Sequence, residues 1–124
     1  MPKKILIVDD HLDFRKSISE LLNAKGFDTD TVNDGRYAFE KIYNNRYDLI
    51  LLDINMPDVS GKTFLEHLKM VDRKIPVFII SGWGVPEIQN DFFELGAVGF
   101  LTKPVRHNAL IKLIENYFFF INRV

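Results

Sequence analysis

The chain has 124 residues, of which 47% are hydrophobic and 27% charged, a balance that excludes a disordered chain and predicts one globular domain over residues 1–124. The net charge of −1 argues against a nucleic-acid partner, and the lack of cysteine excludes disulfides, thiolate metal sites and thiol catalysis. The apolar run before Asp9 is too short for a signal peptide or a membrane span, so we expect a cytoplasmic protein with no membrane partner.

Short apolar runs alternate with longer amphipathic stretches along the whole chain. The runs predict strands at residues 5–8, 27–32, 49–52, 77–80 and 98–101. Apolar residues at helical spacing predict helices around residues 14–22, 37–43, 64–71, 88–95 and 110–121. Gly26 and Gly96 stand where the first and fourth helices would end, and the second strand alternates with polar residues, which indicates a less covered position.

This alternation predicts an α/β fold with a doubly wound, five-stranded parallel sheet and five helices on both faces. Ligands of such sheets bind beyond the carboxyl ends of the strands. Polar residues follow four of the predicted strands. They are Asp9 and Asp10 after the first, Asp53 after the third, Ser81 after the fourth, and Thr102, Lys103 and Pro104 after the fifth.

These residues have the chemistry of a phosphoryl-transfer site. Three carboxylates at one sheet edge repel one another, and a divalent cation with oxygen ligands, such as Mg²⁺, relieves that repulsion. Lys103 supplies a positive charge and Ser81 a hydroxyl donor for phosphoryl oxygens. A carboxylate can itself accept the phosphoryl group. Each signal is weak alone, since an Asp pair after a strand is often only a helix cap, and their joint placement is what favours a site.

Four segments resemble the receiver domains of bacterial response regulators. They are residues 7–10, 52–61, 80–82 and 99–104. The resemblance extends from Lys4 to about Tyr117 and implies a flavodoxin-like strand order 2-1-3-4-5. It implies a phosphoprotein of a two-component regulatory system or phosphorelay. Such a protein catalyses only its own phosphotransfer and autodephosphorylation, so we do not expect an ordinary enzyme.

The resemblance also implies how the acidic residues divide their roles. Asp53 corresponds to the phosphoacceptor that becomes an aspartyl phosphate. Asp10 and Asp53 correspond to direct Mg²⁺ ligands, the backbone carbonyl of Asn55 to the third protein ligand, and Asp9 to a residue that acts on the ion mainly through water. Ser81 and Lys103 correspond to the residues that hold the phosphoryl oxygens.

Two further residues receive roles from the resemblance. Phe100 corresponds to the aromatic residue that turns inward when Ser81 moves toward the phosphate. The bond between Lys103 and Pro104 is expected to be cis, a rare state even before proline. The phosphodonor would be a sensor histidine kinase, a phosphotransfer protein or a small acyl phosphate. The signal would pass through the fourth helix, fifth strand and fifth helix to an output domain or downstream protein.

Three features leave alternatives open. Trp83, the single tryptophan, is either an exposed loop aromatic or a lid over the phosphoryl group that slows hydrolysis. The aromatic run at residues 117–121 either packs on the domain or forms a homodimer or output-domain contact, which Phe93 would extend. His11 follows the acidic pair and can line the site. We predict no metal role for the histidines, because His11, His67 and His107 show no ligand spacing.

Three other functions fit the sequence less well than a receiver domain does. A haloacid-dehalogenase-type phosphatase needs a second Asp two residues after the nucleophile, where this chain has Asn55. In a flavodoxin-type site, Asp9 and Asp10 would repel the phosphate of FMN in the absence of a metal. A pseudo-receiver used only for protein contacts would not need the five site residues. The sequence leaves open whether the chain is a stand-alone regulator or part of a larger regulator or hybrid kinase.

Overall fold

A computed structural model describes residues 2–54, 60–71, 74–82 and 85–121. Within them the strands are β1 (Lys4–Val8), β2 (Asp28–Val32), β3 (Leu49–Asp53), β4 (Val77–Ser81) and β5 (Gly99–Thr102). The helices are α1 (Leu12–Ala24), α2 (Gly35–Asn44), α3 (Gly61–Val71), α4 (Pro86–Glu94) and α5 (His107–Ile121). The predicted alternation of strands and helices is therefore confirmed.

The strands form one parallel sheet in the order β2-β1-β3-β4-β5, as the sequence predicts. β1 lies inside the sheet, with Leu6 opposite Asp30 on one side and Ile50 on the other. β2 pairs only with β1, so it is an edge strand, and this position explains its polar residues. At the carboxyl ends, Asp53 is opposite Ile80 and Ser81 is opposite Thr102.

Two hydrophobic clusters cover the two faces of the sheet. Alternate residues of β1 divide between them, with Leu6 and Val8 in one and Ile5 and Ile7 in the other, because successive side chains of a strand point to opposite faces. The first cluster includes residues of α2, α3 and α4, and the second includes residues of α1 and α5. β1, β3 and β4 are thus covered on both faces, which is why their sequences are continuous apolar runs.

Local signals set the helix ends. The carboxylate of Asp34 accepts a 3.0 Å hydrogen bond from the Tyr37 backbone N–H and caps α2. Gly26 and Gly96 follow α1 and α4 with φ angles of 93° and 100°, which glycine adopts without the strain that a Cβ imposes. None of the described helices combines the length and hydropathy needed to span a membrane.

The carboxyl-terminal aromatic run divides between core and surface. Tyr117 packs against the second cluster and Phe118 belongs to it, being only 6% exposed. Phe119 and Phe120 are 56% and 63% exposed. The run therefore both packs on the domain and presents apolar rings to its surroundings.

Candidate functional site

Four strand ends converge on one edge of the sheet. Asp9 directly follows β1, Asp53 ends β3, Ser81 ends β4 and Lys103 directly follows β5. The side chains of Asp9 and Asp53 are 1% and 2% exposed, and Ser81 is fully buried. Because polar groups are rarely buried without a functional or structural partner, this edge stands out from the apolar core around it.

The acidic residues form one cluster of possible ligands. Asp9, Asp10, His11 and Asp53 each offer one donor atom, and these four atoms lie within 4.8 Å of one another. Carboxylate oxygens so close together in a buried setting need positive charge to offset their repulsion. The donor set fits a divalent cation, since Asp oxygens are the ligands that Mg²⁺ prefers.

Lys103 provides positive charge within the protein itself. Its Nζ lies 2.9 Å from Asp9 Oδ2 and 3.6 Å from Asp53 Oδ2. The same ammonium lies 4.5 Å from the centroid of the Phe14 ring, a cation–π arrangement that helps to orient it. The Lys103 backbone N–H donates a 2.8 Å hydrogen bond to the Ser81 carbonyl, and the peptide bond to Pro104 is cis.

Asp9 is held by contacts from the start of α1. The His11 backbone N–H donates a 2.8 Å hydrogen bond to Asp9 Oδ1, and Nη1 of Arg15 donates one of 2.8 Å to the Asp9 carbonyl. Nδ1 of His11 lies 3.0 Å from the same Oδ1. The sequence suggested only that His11 lines the site, so its place among the acidic donors is a finding of the structure.

Ile54, directly after Asp53, lies against the start of α3. The Gly61 backbone N–H donates a 3.2 Å hydrogen bond to the carbonyl of Ile54. A Cβ built on Gly61 would lie 2.5 Å from Cα of Ile54, so only glycine permits this approach. The sequence motif contained Gly61, but it gave no measure of how close these two backbones come.

The contacts of Phe100, His67 and His107 are with residues outside the acidic cluster. Phe100 is partly exposed on β5, and its ring centroid is 6.5 Å from that of Phe92 in α4. His67 stacks at 4.4 Å on Phe39, and Nε2 of His107 is 3.4 Å from Ser17 Oγ. The predicted roles of Asn55 and Trp83 fall on residues outside the described ranges.

The model of the response regulator receiver domain family matches residues 5–115. The chain belongs to that family. Sporulation initiation phosphotransferase F of Bacillus subtilis is 32% identical over 94% of each chain. The CpxR homolog of Haemophilus influenzae, a transcriptional regulatory protein, is 36% identical over 90% of this chain and 48% of its own length. The chain thus spans nearly all of some relatives and about half of others.

Solved structures of receiver domains share the fold. CheY4, a chemotaxis protein of Vibrio cholerae, has a TM-score of 0.89 at 30% identity, covering 94% of this chain and 98% of that one. TrrA of Thermotoga maritima, solved in complex with Mg²⁺ and BeF, has a TM-score of 0.82 at 25% identity, covering 92% and 97%. The chain is therefore a receiver domain of the two-component class, a phosphoacceptor signalling protein. Members of this family bind Mg²⁺ at an acidic site and interact with histidine kinases and output domains.

Proposed function

We propose that Asp53 is the phosphoacceptor, that Asp10, Asp53 and the backbone carbonyl of Asn55 are ligands of Mg²⁺, and that Asp9 acts on the ion mainly through water. One observation carries the proposal. The Asp53 carboxylate is buried at the end of β3, within 4.8 Å of donor atoms of Asp9 and Asp10 and 3.6 Å from the Lys103 ammonium. A carboxylate nucleophile needs this combination of a metal site and a positive side chain to approach an anionic phosphoryl group.

In the proposed step, a carboxylate oxygen of Asp53 attacks the phosphorus of the donor. The phosphorus–nitrogen bond of a phosphohistidine, or the phosphorus–oxygen bond of an acyl phosphate, breaks, and the leaving group takes the electron pair. The product is an aspartyl phosphate. Bound Mg²⁺ supplies charge neutralisation for the transferring phosphoryl oxygens. The Lys103 ammonium leaves its ion pair with Asp9 and pairs with one phosphoryl oxygen. The Ser81 hydroxyl donates a hydrogen bond to another phosphoryl oxygen.

The switch would run from Ser81 to the surface formed by α4, β5 and α5. Movement of Ser81 toward the phosphate opens space for the Phe100 side chain to turn inward. Since the Phe100 ring lies against Phe92, this rotation changes the packing of α4 on β5. The altered surface then controls an output domain or downstream protein, and nucleic acid is not a direct partner.

A groove beside Lys103 is the proposed docking place for the phosphodonor. It has a volume of about 500 Å³ and lies between α1 and the segment that follows β5. Its lining residues are Phe14, Ser17, Ile18, Lys103, Pro104, Val105 and His107. An amphipathic helix of a histidine kinase or phosphotransfer protein fits such a groove. Ser17→Trp should slow transfer from a phosphorylated phosphotransfer domain but leave labelling by acetyl phosphate unchanged.

Apolar side chains on α4 and α5 support a homodimer or an output-domain contact. Phe93 is 42% exposed, and Phe119 and Phe120 are 56% and 63% exposed. Contiguous exposed apolar surface marks interaction sites, and the ring centroids of Phe119 and Phe120 lie 5.7 Å apart. Size-exclusion chromatography with light scattering, with and without beryllofluoride, tests the dimer, and a strict monomer at high concentration under both conditions contradicts it.

We further propose that residues 1–124 form a single receiver domain.

We also propose that Trp83 shields the phosphoryl group from water. Autodephosphorylation is then slow. Trp83→Glu should then lose phosphate faster than the parent protein, and an equal rate contradicts the role of Trp83 as a lid.

We propose a cytoplasmic location, because the phosphohistidine donor is made from ATP.

The decisive experiment is intact mass spectrometry after incubation with acetyl phosphate and Mg²⁺. The parent protein should gain one phosphoryl group, and Asp53→Asn should gain none. Asp13→Asn, a matched change of an exposed Asp in the first turn of α1, should be labelled like the parent. Labelling of Asp53→Asn to the same extent would contradict the assignment of Asp53.

A further inference from the structure

His11 directs a nitrogen atom into the acidic cluster. Its Nδ1 lies 3.0 Å from Asp9 Oδ1, 3.1 Å from Asp10 Oδ1 and 3.9 Å from Asp53 Oδ2. The side chain is 64% exposed, whereas those of Asp9 and Asp53 are 1% and 2% exposed. The imidazole therefore stands on the solvent side of the buried carboxylates, where an incoming ion would arrive.

These distances match the spacing of atoms around one metal ion. Two ligand atoms that each lie about 2.1 Å from an ion are about 3.0 Å apart at a right angle and about 4.2 Å apart on opposite sides. The distances from Nδ1 to the three carboxylate oxygens, 3.0, 3.1 and 3.9 Å, fall in that interval. The His11 N–H bond to Asp9 Oδ1, at 2.8 Å, ties the backbone of the histidine to the same carboxylate.

We propose that His11 Nδ1 is a ligand of the metal centre and gives it a preference for transition metals. The inference rests on the proposed function, because the centre shares Asp10 and Asp53 with the proposed Mg²⁺ site. An all-oxygen set suits Mg²⁺, whereas an imidazole nitrogen strengthens binding of Co²⁺, Ni²⁺ or Zn²⁺ much more than binding of Mg²⁺. A fourth donor from the chain would also replace one of the waters that Mg²⁺ usually keeps.

Another role for His11 predicts the opposite effect. The Lys103 ammonium lies 3.5 Å from Nδ1 of His11 and 2.9 Å from Asp9, so the carboxylates already have one cationic partner. If His11 served only as a second, imidazolium partner, it would compete with every divalent ion. Its removal would then strengthen binding of all divalent ions alike, whereas removal of a ligand weakens binding of the metals that favour nitrogen.

Isothermal titration calorimetry with Mg²⁺ and with Co²⁺ separates these roles. The proteins are the parent, His11→Asn and the matched control His67→Asn, whose imidazole contacts the Phe39 ring outside the cluster. In His11→Asn we expect Co²⁺ affinity to fall about tenfold or more, the scale on which ligand surroundings change metal affinity. Mg²⁺ affinity should change less than about twofold, and His67→Asn should match the parent for both ions. Unchanged Co²⁺ affinity, or tighter binding of both ions, would overturn the inference.

Pulsed electron paramagnetic resonance of bound Mn²⁺ gives a second readout. Protein labelled with ¹⁵N-histidine should show a nitrogen coupling to Mn²⁺ in the parent and in His67→Asn, and none in His11→Asn. A parent that binds Mn²⁺ without nitrogen coupling overturns the role of His11 and leaves the proposed Mg²⁺ site standing. If Asp53→Asn binds Mg²⁺ and Co²⁺ as tightly as the parent does, the proposed site is contradicted and the inference fails with it.

Discussion

The Tyr47 hydroxyl donates a 2.6 Å hydrogen bond to Oδ2 of Asp30, which ties the segment before β3 to the edge strand β2. The Lys4 ammonium lies 3.4 Å from the same oxygen and 5.3 Å from the centroid of the Tyr47 ring. Burial tends to raise the pKa of Asp30, but the bond from Tyr47 and the charge of Lys4 outweigh it and keep this pKa below its usual value. Burial, together with the bond to Asp30, raises the pKa of Tyr47 well above its usual value.

This pair predicts a pH window of stability. The lowered pKa of Asp30 contributes stability above about pH 4, which is lost as the pH falls through the folded-state value. The raised pKa of Tyr47 contributes stability below about pH 10, which is lost as the pH rises. Tyr47→Phe should lower the free energy of unfolding by about 1 kcal/mol at pH 7, with a smaller loss below pH 4.

Urea unfolding from pH 3 to pH 10 measures this effect. Tyr43→Phe is the matched control, because Tyr43 is 65% exposed. It should follow the parent at every pH. A constant difference between Tyr47→Phe and the parent across the range would show that the loss is one of packing alone.

The ion pairs of Lys103 lead to a second prediction. Lys103→Met leaves the buried carboxylates of Asp9 and Asp53 without their ammonium, and in the absence of divalent metal we expect a loss of about 2 kcal/mol. Mg²⁺ should restore part of this stability, because an ion that binds only the folded state stabilises it. Thermal unfolding with and without Mg²⁺ measures both effects. Lys112→Met, at an exposed position of α5, should match the parent both with and without Mg²⁺. Equal melting temperatures of the two variants in the absence of Mg²⁺ would refute the role of the ion pairs.

The close approach of Gly61 to Ile54 predicts a strong backbone effect. In Gly61→Ala the new Cβ would lie 2.5 Å from Cα of Ile54, and the required shift should cost about 3 kcal/mol of unfolding free energy. Gly82→Ala is the control, since among the described residues, its chain neighbours aside, a Cβ at Gly82 has no heavy atom within 4 Å, and its effect should stay within about 0.5 kcal/mol. Chemical denaturation compares the two variants, and similar stabilities would mean that the contact between Gly61 and Ile54 relaxes without cost.

Two aromatic residues of α5 that are two positions apart should differ in their contribution to stability. Phe118 is 6% exposed and its ring centroid is 5.9 Å from that of Phe27, so Phe118→Ala should cost about 3 kcal/mol. Phe120 is 63% exposed, and Phe120→Ala should change stability by no more than about 0.5 kcal/mol. Guanidinium unfolding of dilute monomer tests the contrast. A large loss in Phe120→Ala would show that this ring packs within the domain.

Hydrophobic periodicity alone predicted the strands to within one residue at each end, because β1, β3 and β4 are apolar on both faces. The helices were predicted too short at their amino-terminal ends. α3 begins at Gly61 and α5 at His107, and their polar first turns carry no apolar stripe. Caps and tertiary contacts, rather than periodicity, determine those ends.

The site was predictable where it depends on topology. Asp9, Asp53, Ser81 and Lys103 meet because parallel strands bring their carboxyl ends to one edge. The position of the His11 imidazole depends on a side-chain rotamer and on the backbone bond to Asp9, neither of which sequence spacing encodes. The chemical roles of the site residues, including those of Asn55 and Trp83, stay predictions.

The two borders of the sheet also affect how copies of the protein can meet. An edge strand has unpaired backbone N–H and C=O groups that can bond to a strand of another molecule, which is the first step toward fibrils. β2 carries Asp28 and Asp30 along such a border, and β5, at the other border, has only four residues. Two β2 strands brought together would place negative charges opposite each other. β5 is too short to form many hydrogen bonds with a strand of another molecule. The protein should therefore resist aggregation through its strands, and any regulated assembly is left to the helices.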